Sequence, residues 1–172
     1  MQLWNRIRQS QGRKGRTKMY EQVVHQLMEK EYHISFAESC TGGLAVAALV
    51  SVADASKVLD ASFITYANEA KTKYLGVKED TIETYGVVSE EVACQMSEGV
   101  AKETGAEVGV GITGVAGPGG GTKEKPVGMV CFGFFVDGTV YTETMQFGDI
   151  GRNEVRRKSV EYVYGKLHEL LL

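Results

Sequence analysis

Residues 38–43 read Glu-Ser-Cys-Thr-Gly-Gly, which brings hydroxyls, a thiol and two glycines together in six positions. A short alternating segment precedes them and an Ala-rich apolar segment follows, which predicts a strand, a tight turn and a buried helix. Ser39 would then lie at the carboxyl edge of a sheet and at the positive end of a helix, where an oxyanion or a phosphate can be held. Such a serine is a candidate nucleophile. The alternative is that Ser39 or Thr41 only caps the helix. Cys40 is expected to be a small buried residue, with a thiol nucleophile as its alternative.

A second polar segment, residues 65–71, follows another strand candidate at residues 61–66. No histidine is well placed in the sequence as a partner for Ser39, so a serine nucleophile would need another base. A lysine whose pKa is lowered by burial can serve, as in Ser-Lys variants of the catalytic triad, and Lys71 is the candidate. Tyr66 could orient a proton by hydrogen bonding. Taken alone, Lys71 also fits an exposed helix lysine, and Tyr66 fits a half-buried strand residue.

The third unusual segment is rich in glycine, which makes up eight of the 17 residues from 105 to 121. Ordering so many glycines costs backbone entropy, whereas a loop that must bring N–H groups close to an anion needs their freedom. The segment has no Gly-Lys-Ser/Thr ending and leads into a strand, so it fits neither a Walker loop nor a dinucleotide-binding turn. A flexible linker is the other interpretation.

Helical and alternating segments follow one another along the chain, which predicts one α/β domain, a three-layer α/β/α sandwich with a mixed sheet. Helix signals include Ser89 as an N-cap and glycines 76 and 105 as stops, and Asp137-Gly138 is a strong hairpin signal. The predicted helices cover residues 18–31, 44–50, 68–75, 90–105 and 152–171, and the predicted strands cover residues 33–37, 61–66, 107–113, 127–136 and 139–147.

The formal net charge is −3, but residues 1–18 hold six basic residues and no acidic one, so the remainder is acidic. We therefore expect a solvated basic arm, 1–18, before a single domain, 19–172, and no nucleic-acid partner, because duplex binders present basic faces. No segment is long and apolar enough to cross a membrane. The three cysteines contain no CxxC pair, which indicates neither a disulfide framework nor a metal site and favours a cytoplasmic location.

Four segments together resemble the C-terminal domain of CinA proteins, the nicotinamide-nucleotide amidase family. The segments are residues 37–43, 65–71 with 75–77, 86–89, and 113–122 with 125–128. The resemblance covers about residues 20–171 and implies hydrolysis of the carboxamide of nicotinamide mononucleotide to nicotinic acid mononucleotide and ammonia. That reaction belongs to pyridine nucleotide salvage. The resemblance implies neither a metal nor another cofactor.

By this resemblance Ser39 matches the nucleophile, Lys71 the lysine that acts as its base or activator, and Tyr66 the motif tyrosine. The family's Gly-Asp-Arg run is extended here to Gly-Asp-Ile-Gly-Arg at residues 148–152, so either of two arginines could reach the phosphate. The candidate substrate-binding residues are Thr41, Gly42, Thr113, Gly117, Gly119, Gly120, Arg152 and Arg156.

Full-length family members carry a molybdopterin-binding-like domain before this one, so the chain resembles a stand-alone form. The family also suggests a homodimer or a higher homo-oligomer. Two other functions stay open from the sequence. One is a non-catalytic module that binds a nucleotide or a protein partner, in a regulatory role linked to competence or DNA damage. The other is an amidase of the same mechanism that acts on a different small amide.

Overall fold

The structure is a computed structural model that describes residues 2–172, with side chains described for residues 15 and 17–172. The described residues form six α-helices, five β-strands and one short 3-10 helix. The α-helices are α1 (Gln2–Lys30), α2 (Leu44–Val50), α3 (Asn68–Leu75), α4 (Glu79–Tyr85), α5 (Glu90–Thr104) and α6 (Arg152–Leu170). The strands are β1 (Ile34–Glu38), β2 (Phe63–Ile64), β3 (Val108–Gly114), β4 (Met129–Val136) and β5 (Thr139–Gln146), and the 3-10 helix is Ala55–Lys57.

The five strands form one mixed sheet in the order β2-β1-β3-β4-β5. Strand β1 pairs in parallel with both β2 and β3, whereas β3, β4 and β5 pair antiparallel. The carboxyl ends of β1, β2 and β3 therefore meet at one edge of the sheet. In open α/β sheets that edge is where ligands bind.

Helices cover both faces of the sheet, which confirms the predicted three-layer α/β/α sandwich. One face packs against α1, α2 and α6, whose buried side chains include Leu27, Leu49 and Tyr164. The other face packs against α3 and α5, with Leu75 and Met96 among the buried side chains.

Glycines in the central strands let α5 lie unusually close to the sheet. A Cβ atom at Gly111 would be 2.4 Å from the carbonyl oxygen of Ala93, and one at Gly133 would be 2.2 Å from the same oxygen. At Gly109 the nearest atom would be the carbonyl oxygen of Ser97, at 2.1 Å. No side chain fits at such distances, so the glycines of β3 permit the close approach of the α5 backbone.

Several local signals act as predicted. The Ser89 hydroxyl accepts a hydrogen bond from the N–H of Val92 and caps α5. Gly76 and Gly105 end α3 and α5 in the left-handed conformation. Asp137 and Gly138, both with positive φ, connect β4 to β5.

Other elements differ from the predictions. Helix α1 begins at Gln2 rather than near residue 18; the preceding residues contain no proline to stop it. The predicted strand at residues 61–66 is reduced to β2, an edge strand of two residues. Helix α4 and the 3-10 helix were not predicted. The predicted solvation of the basic arm concerns side chains that lie largely outside the described residues. Lys18, which is described, is exposed. Within the described residues, no helix combines the length and the apolar character needed to span a bilayer.

Candidate active site

Ser39 lies at the carboxyl end of β1, directly after Glu38. Its N–H donates to the carbonyl oxygen of Ile112 in β3 at 3.0 Å, which continues the parallel pairing by one residue and fixes the backbone of Ser39 at the sheet edge. The side chain is half-buried. A tight turn, residues 39–43, then leads into α2.

The buried carboxylate of Glu38 occupies the amino end of α2. It accepts hydrogen bonds from the N–H groups of Gly43 at 2.9 Å, Ala45 at 3.1 Å and Val46 at 2.8 Å. The N-cap residue is Gly43, without a side-chain cap, so the interpretation of Ser39 or Thr41 as the cap is wrong. A carboxylate is favoured at this place because the first N–H groups of a helix lack partners and carry the positive end of the dipole.

Most N–H groups of the turn are therefore engaged rather than free to stabilise an oxyanion. The N–H of Gly42 donates to the Ser39 carbonyl at 3.1 Å, and that of Leu44 donates to the Thr41 carbonyl at 3.3 Å. Within the described residues, the N–H groups of Cys40 and Thr41 have no backbone acceptor. The oxyanion site that the sequence predicts at this helix end is thus reduced to these two groups.

Lys71 is fully buried in α3 and meets Ser39, so it is not the exposed helix lysine of the alternative interpretation. Its Nζ lies 3.3 Å from Ser39 Oγ, 2.7 Å from the carbonyl oxygen of Thr65 and 3.3 Å from that of Tyr66. Burial lowers the pKa of Lys71, and this effect exceeds the opposite influence of the nearby Glu69 carboxylate. Desolvation disfavours the ammonium form, so the amine is shifted towards the neutral state that can accept a proton.

Tyr66 follows β2 and has 62% of its surface exposed, unlike the half-buried strand residue considered from the sequence. Its hydroxyl accepts a hydrogen bond from Nη2 of Arg152 at 2.8 Å. Nη1 of the same guanidinium donates to the carbonyl oxygen of Gly117 at 2.9 Å. The first residue of α6 therefore joins the end of β2 to the glycine-rich loop.

The other arginine, Arg156, has different partners. Its Nε donates to the carbonyl oxygen of Cys40 at 3.1 Å, and its Nη2 donates to that of Thr41 at 2.9 Å. The remaining nitrogen, Nη1, donates to Asn153 Oδ1 at 3.1 Å. All three nitrogens of Arg156 are thus hydrogen-bonded within the protein, whereas Arg152 is exposed at the sheet edge.

Only part of the glycine-rich loop contacts the other residues of this site. Gly117 is buried and bonded to Arg152, whereas Gly119 and Gly120 are exposed. Thr113, a predicted substrate-binding residue, is buried, and its hydroxyl donates to the Val87 carbonyl at 2.8 Å. Gly117 and Gly120 have positive φ values, which explains why glycine is needed there.

The hydroxyls of Thr41 and Thr65 are buried and have no hydrogen-bond partner within the described part of the chain. Gly42, the remaining predicted substrate-binding residue, is exposed with a positive φ. The adjacent thiol of Cys40 is buried, and burial raises its pKa to about 12. A nucleophilic thiolate is therefore disfavoured, which supports the packing interpretation of this cysteine.

Glu38 was not assigned a role from the sequence, and Arg156 was considered only for substrate binding. Glu38 could have been found, because an acidic residue shortly before a predicted helix matches the preference of helix amino ends for carboxylates. The contacts of Arg156 with the turn span 116 and 115 positions of the chain and leave no signal in the local sequence. Among the described side chains, no group of three or more His, Cys, Asp or Glu residues could hold a metal ion.

Comparisons with known proteins agree with this architecture. Curated relatives include a CinA-like protein of Kosmotoga olearia, 44% identical over 158 residues, and a CinA-like protein of Dictyoglomus turgidum, 49% identical over 143 residues. The matched regions cover 92% and 83% of this chain but 38% and 34% of the relatives. The chain thus spans little more than a third of the length of these curated relatives.

Solved structures match along nearly their whole length. The competence/damage inducible protein CihA of Agrobacterium tumefaciens is 39% identical with a TM-score of 0.88, covering 91% of this chain and 96% of that one. A CinA superfamily protein of Klebsiella pneumoniae is 32% identical with a TM-score of 0.86, covering 91% and 97%. The family model of the CinA C-terminal domain matches residues 16–171. The chain therefore belongs to the CinA C-terminal domain family.

Proposed function

We propose that this chain is a nicotinamide-nucleotide amidase, which hydrolyses nicotinamide mononucleotide to nicotinic acid mononucleotide and ammonia in pyridine nucleotide salvage. The observation that carries the proposal is the contact of 3.3 Å between Nζ of the buried Lys71 and Oγ of Ser39. A buried lysine beside a serine at the carboxyl edge of a sheet is the arrangement that a Ser-Lys nucleophile requires.

In the proposed reaction Ser39 Oγ attacks the carboxamide carbon and passes its proton to the neutral amine of Lys71. The C–N bond of the tetrahedral intermediate then breaks, and Lys71 returns the proton to the departing nitrogen, which leaves as ammonia. A water molecule, deprotonated by the same amine, attacks the acyl-enzyme; the C–O bond to Ser39 breaks, Lys71 returns this proton to Ser39 Oγ, and the carboxylic acid is released. The N–H of Cys40 or Thr41 is the candidate donor for the oxyanion.

Recognition of the nucleotide is assigned to Arg152, Gly117 and the glycine-rich loop. Arg152 is exposed at the same sheet edge, and its guanidinium has N–H groups beyond the two used by Tyr66 and Gly117. A guanidinium suits the 5′-phosphate because it forms charge-assisted, two-point hydrogen bonds. Arg156 is a poorer candidate, since each of its nitrogens already binds an oxygen of the protein.

The test is ammonia release from nicotinamide mononucleotide, nicotinamide riboside and free nicotinamide by the purified chain. We expect efficient release from the mononucleotide and loss of kcat by at least about 10³-fold in Ser39→Ala, with KM nearly unchanged. The matched control is Ser56→Ala, which removes an exposed hydroxyl of the 3-10 helix and should retain the wild-type rate.

Two results would contradict the proposal. Equal efficiency with all three substrates would indicate an amidase for another small amide. An absence of release while the mononucleotide still raises the melting temperature would indicate a binding module.

A further inference from the structure

The turn that carries Ser39 is held from two sides by charged side chains. On one side the Glu38 carboxylate binds three N–H groups at the start of α2. On the other side the Arg156 guanidinium of α6 binds the two carbonyl oxygens that follow Ser39 in the chain. We propose that Arg156 is a positioning residue, which keeps Ser39 aimed at Lys71 by holding the carbonyl oxygens of Cys40 and Thr41. The inference rests on the proposed function.

The contacts of Arg156 suit a guanidinium better than a lysine ammonium. Its planar fork reaches two successive carbonyl oxygens from Nε and Nη2, at 3.1 and 2.9 Å, which a lysine ammonium would have to bridge from one point. The guanidinium also lies against the turn itself, since a Cβ at Gly42 would be 3.5 Å from Nη2. Without Arg156, the carbonyl groups of Cys40 and Thr41, two buried residues, would lose their charged donor.

The geometry of the nucleophile leaves little room for displacement. The distance of 3.3 Å between Ser39 Oγ and Lys71 Nζ is already long for a hydrogen bond. Ser39 is joined to the sheet through its N–H, and its carbonyl accepts the N–H of Gly42 within the turn. A shift of the turn is thus transmitted to Ser39. Misplacement of a reacting group by about 1 Å can reduce the rate about 10²-fold.

The decisive experiment compares Arg156→Ala with Arg157→Ala on two substrates, the mononucleotide and its dephosphorylated nucleoside. Arg157 is the matched control, because it is the next residue of α6 and binds Glu154 and Glu161 instead of the turn. We expect Arg156→Ala to lower kcat about 10²-fold on both substrates, with each KM within about twofold of wild type. Arg157→Ala should match the wild type.

A rise in KM confined to the phosphorylated substrate would overturn the proposal, because it would make Arg156 a phosphate ligand. A wild-type kcat in Arg156→Ala would also overturn it. Guanidinium ions at millimolar concentration, which can enter the space left by the side chain, should restore part of the kcat. Failure of this rescue, together with a large fall in melting temperature, would mean that Arg156 only maintains the fold.

Amide hydrogen exchange tests this inference independently of the proposed function. If the wild-type chain releases ammonia from neither substrate, the proposed function fails. Faster exchange of the N–H groups of residues 40–43 in Arg156→Ala than in Arg157→Ala would still support the holding of the turn. Unchanged exchange would overturn the inference even if the wild-type chain is active.

Discussion

Three oxygen atoms surround the amine of Lys71, and two of them are backbone carbonyls. A carbonyl oxygen can accept a hydrogen bond from the amine but cannot donate one, so these contacts orient Nζ in either protonation state. Ser39 Oγ is different, because a hydroxyl can donate its hydrogen to a neutral amine. The protonation state of Lys71 therefore decides whether Ser39 can be activated.

The activity should rise with pH as Lys71 loses its proton. At low pH the ammonium cannot accept the proton of Ser39; above the pKa the neutral amine can. Because burial lowers the pKa of Lys71, the rise should be complete at a lower pH than for an ordinary lysine. The measurement is kcat/KM between about pH 6 and 10, a range that lies below the ordinary lysine pKa of about 10.4.

Lys71→Arg should remove the activity at every pH in that range, because a guanidinium does not lose its proton. Lys73→Arg, an exposed lysine of the same helix, is the matched control and should keep the wild-type profile. A flat wild-type profile, or an active Lys71→Arg variant, would exclude Lys71 as the base.

The individual site residues were predictable to different degrees. Ser39 could be singled out from its place between a predicted strand and a predicted helix. Lys71 was a candidate base but was ambiguous from the local sequence, since nothing in its neighbours shows that it lies on the buried face of α3. The family resemblance added support for its pairing with Ser39. The contacts of Arg156 could not be predicted, because the carbonyl groups of Cys40 and Thr41 are brought to it only by the packing of α2 against α6.

At the scale of elements, the close packing of α5 on the sheet makes the effect of a Gly→Ala substitution on stability depend on its position. Gly111→Ala would place a Cβ 2.4 Å from the Ala93 carbonyl oxygen and 2.8 Å from the Ser97 nitrogen, so the strand and helix must separate. Overpacking of this kind destabilises by about 1–3 kcal/mol or more. Gly165 lies inside α6, where the nearest atom to a new Cβ would be Met19 Sδ at 4.0 Å.

The same change at Gly165 should therefore stabilise the protein by about 0.5–1 kcal/mol, because alanine favours the helix without a clash. Urea unfolding of Gly111→Ala and Gly165→Ala measures both free energies. Equal effects of the two substitutions would show that α5 does not lie as close to the sheet as the structure indicates.

Elements with strong signals at their ends were predictable. Helices α3 and α5 end at glycines, and α5 begins after a serine cap, so their bounds follow from local chemistry. Helix α4 was not predicted because it is short and buries a single residue, Thr81. Strand β2 was overestimated, since it is an edge strand that pairs only with β1 over two positions.

For the whole molecule, the charge is unevenly divided between the first residues and the remainder. Removal of residues 1–15 takes away four basic residues and no acidic one. The family model begins at residue 16, and the described core contacts of α1 begin at Met19. We expect this truncation to change the melting temperature by less than about 3 °C, equivalent to less than about 1 kcal/mol.

Leu27→Ala is the comparison variant for the truncation. Leu27 is fully buried in the core of α1, and its truncation should cost about 2–5 kcal/mol. Thermal unfolding measures both proteins. A loss of stability on removing residues 1–15 that equals the loss in Leu27→Ala would place those residues within the folded domain.

The two edges of the mixed sheet carry different features, and this has a practical use. Strand β4 runs antiparallel to β3, so the turn at residues 137–138 lies at the edge opposite the one that carries Ser39. Both residues of that turn are exposed. A fluorophore, an affinity tag or a chemical link to a solid support attached there would stand on the far side of the molecule. The protein could then be immobilised with its reaction edge open to the solution.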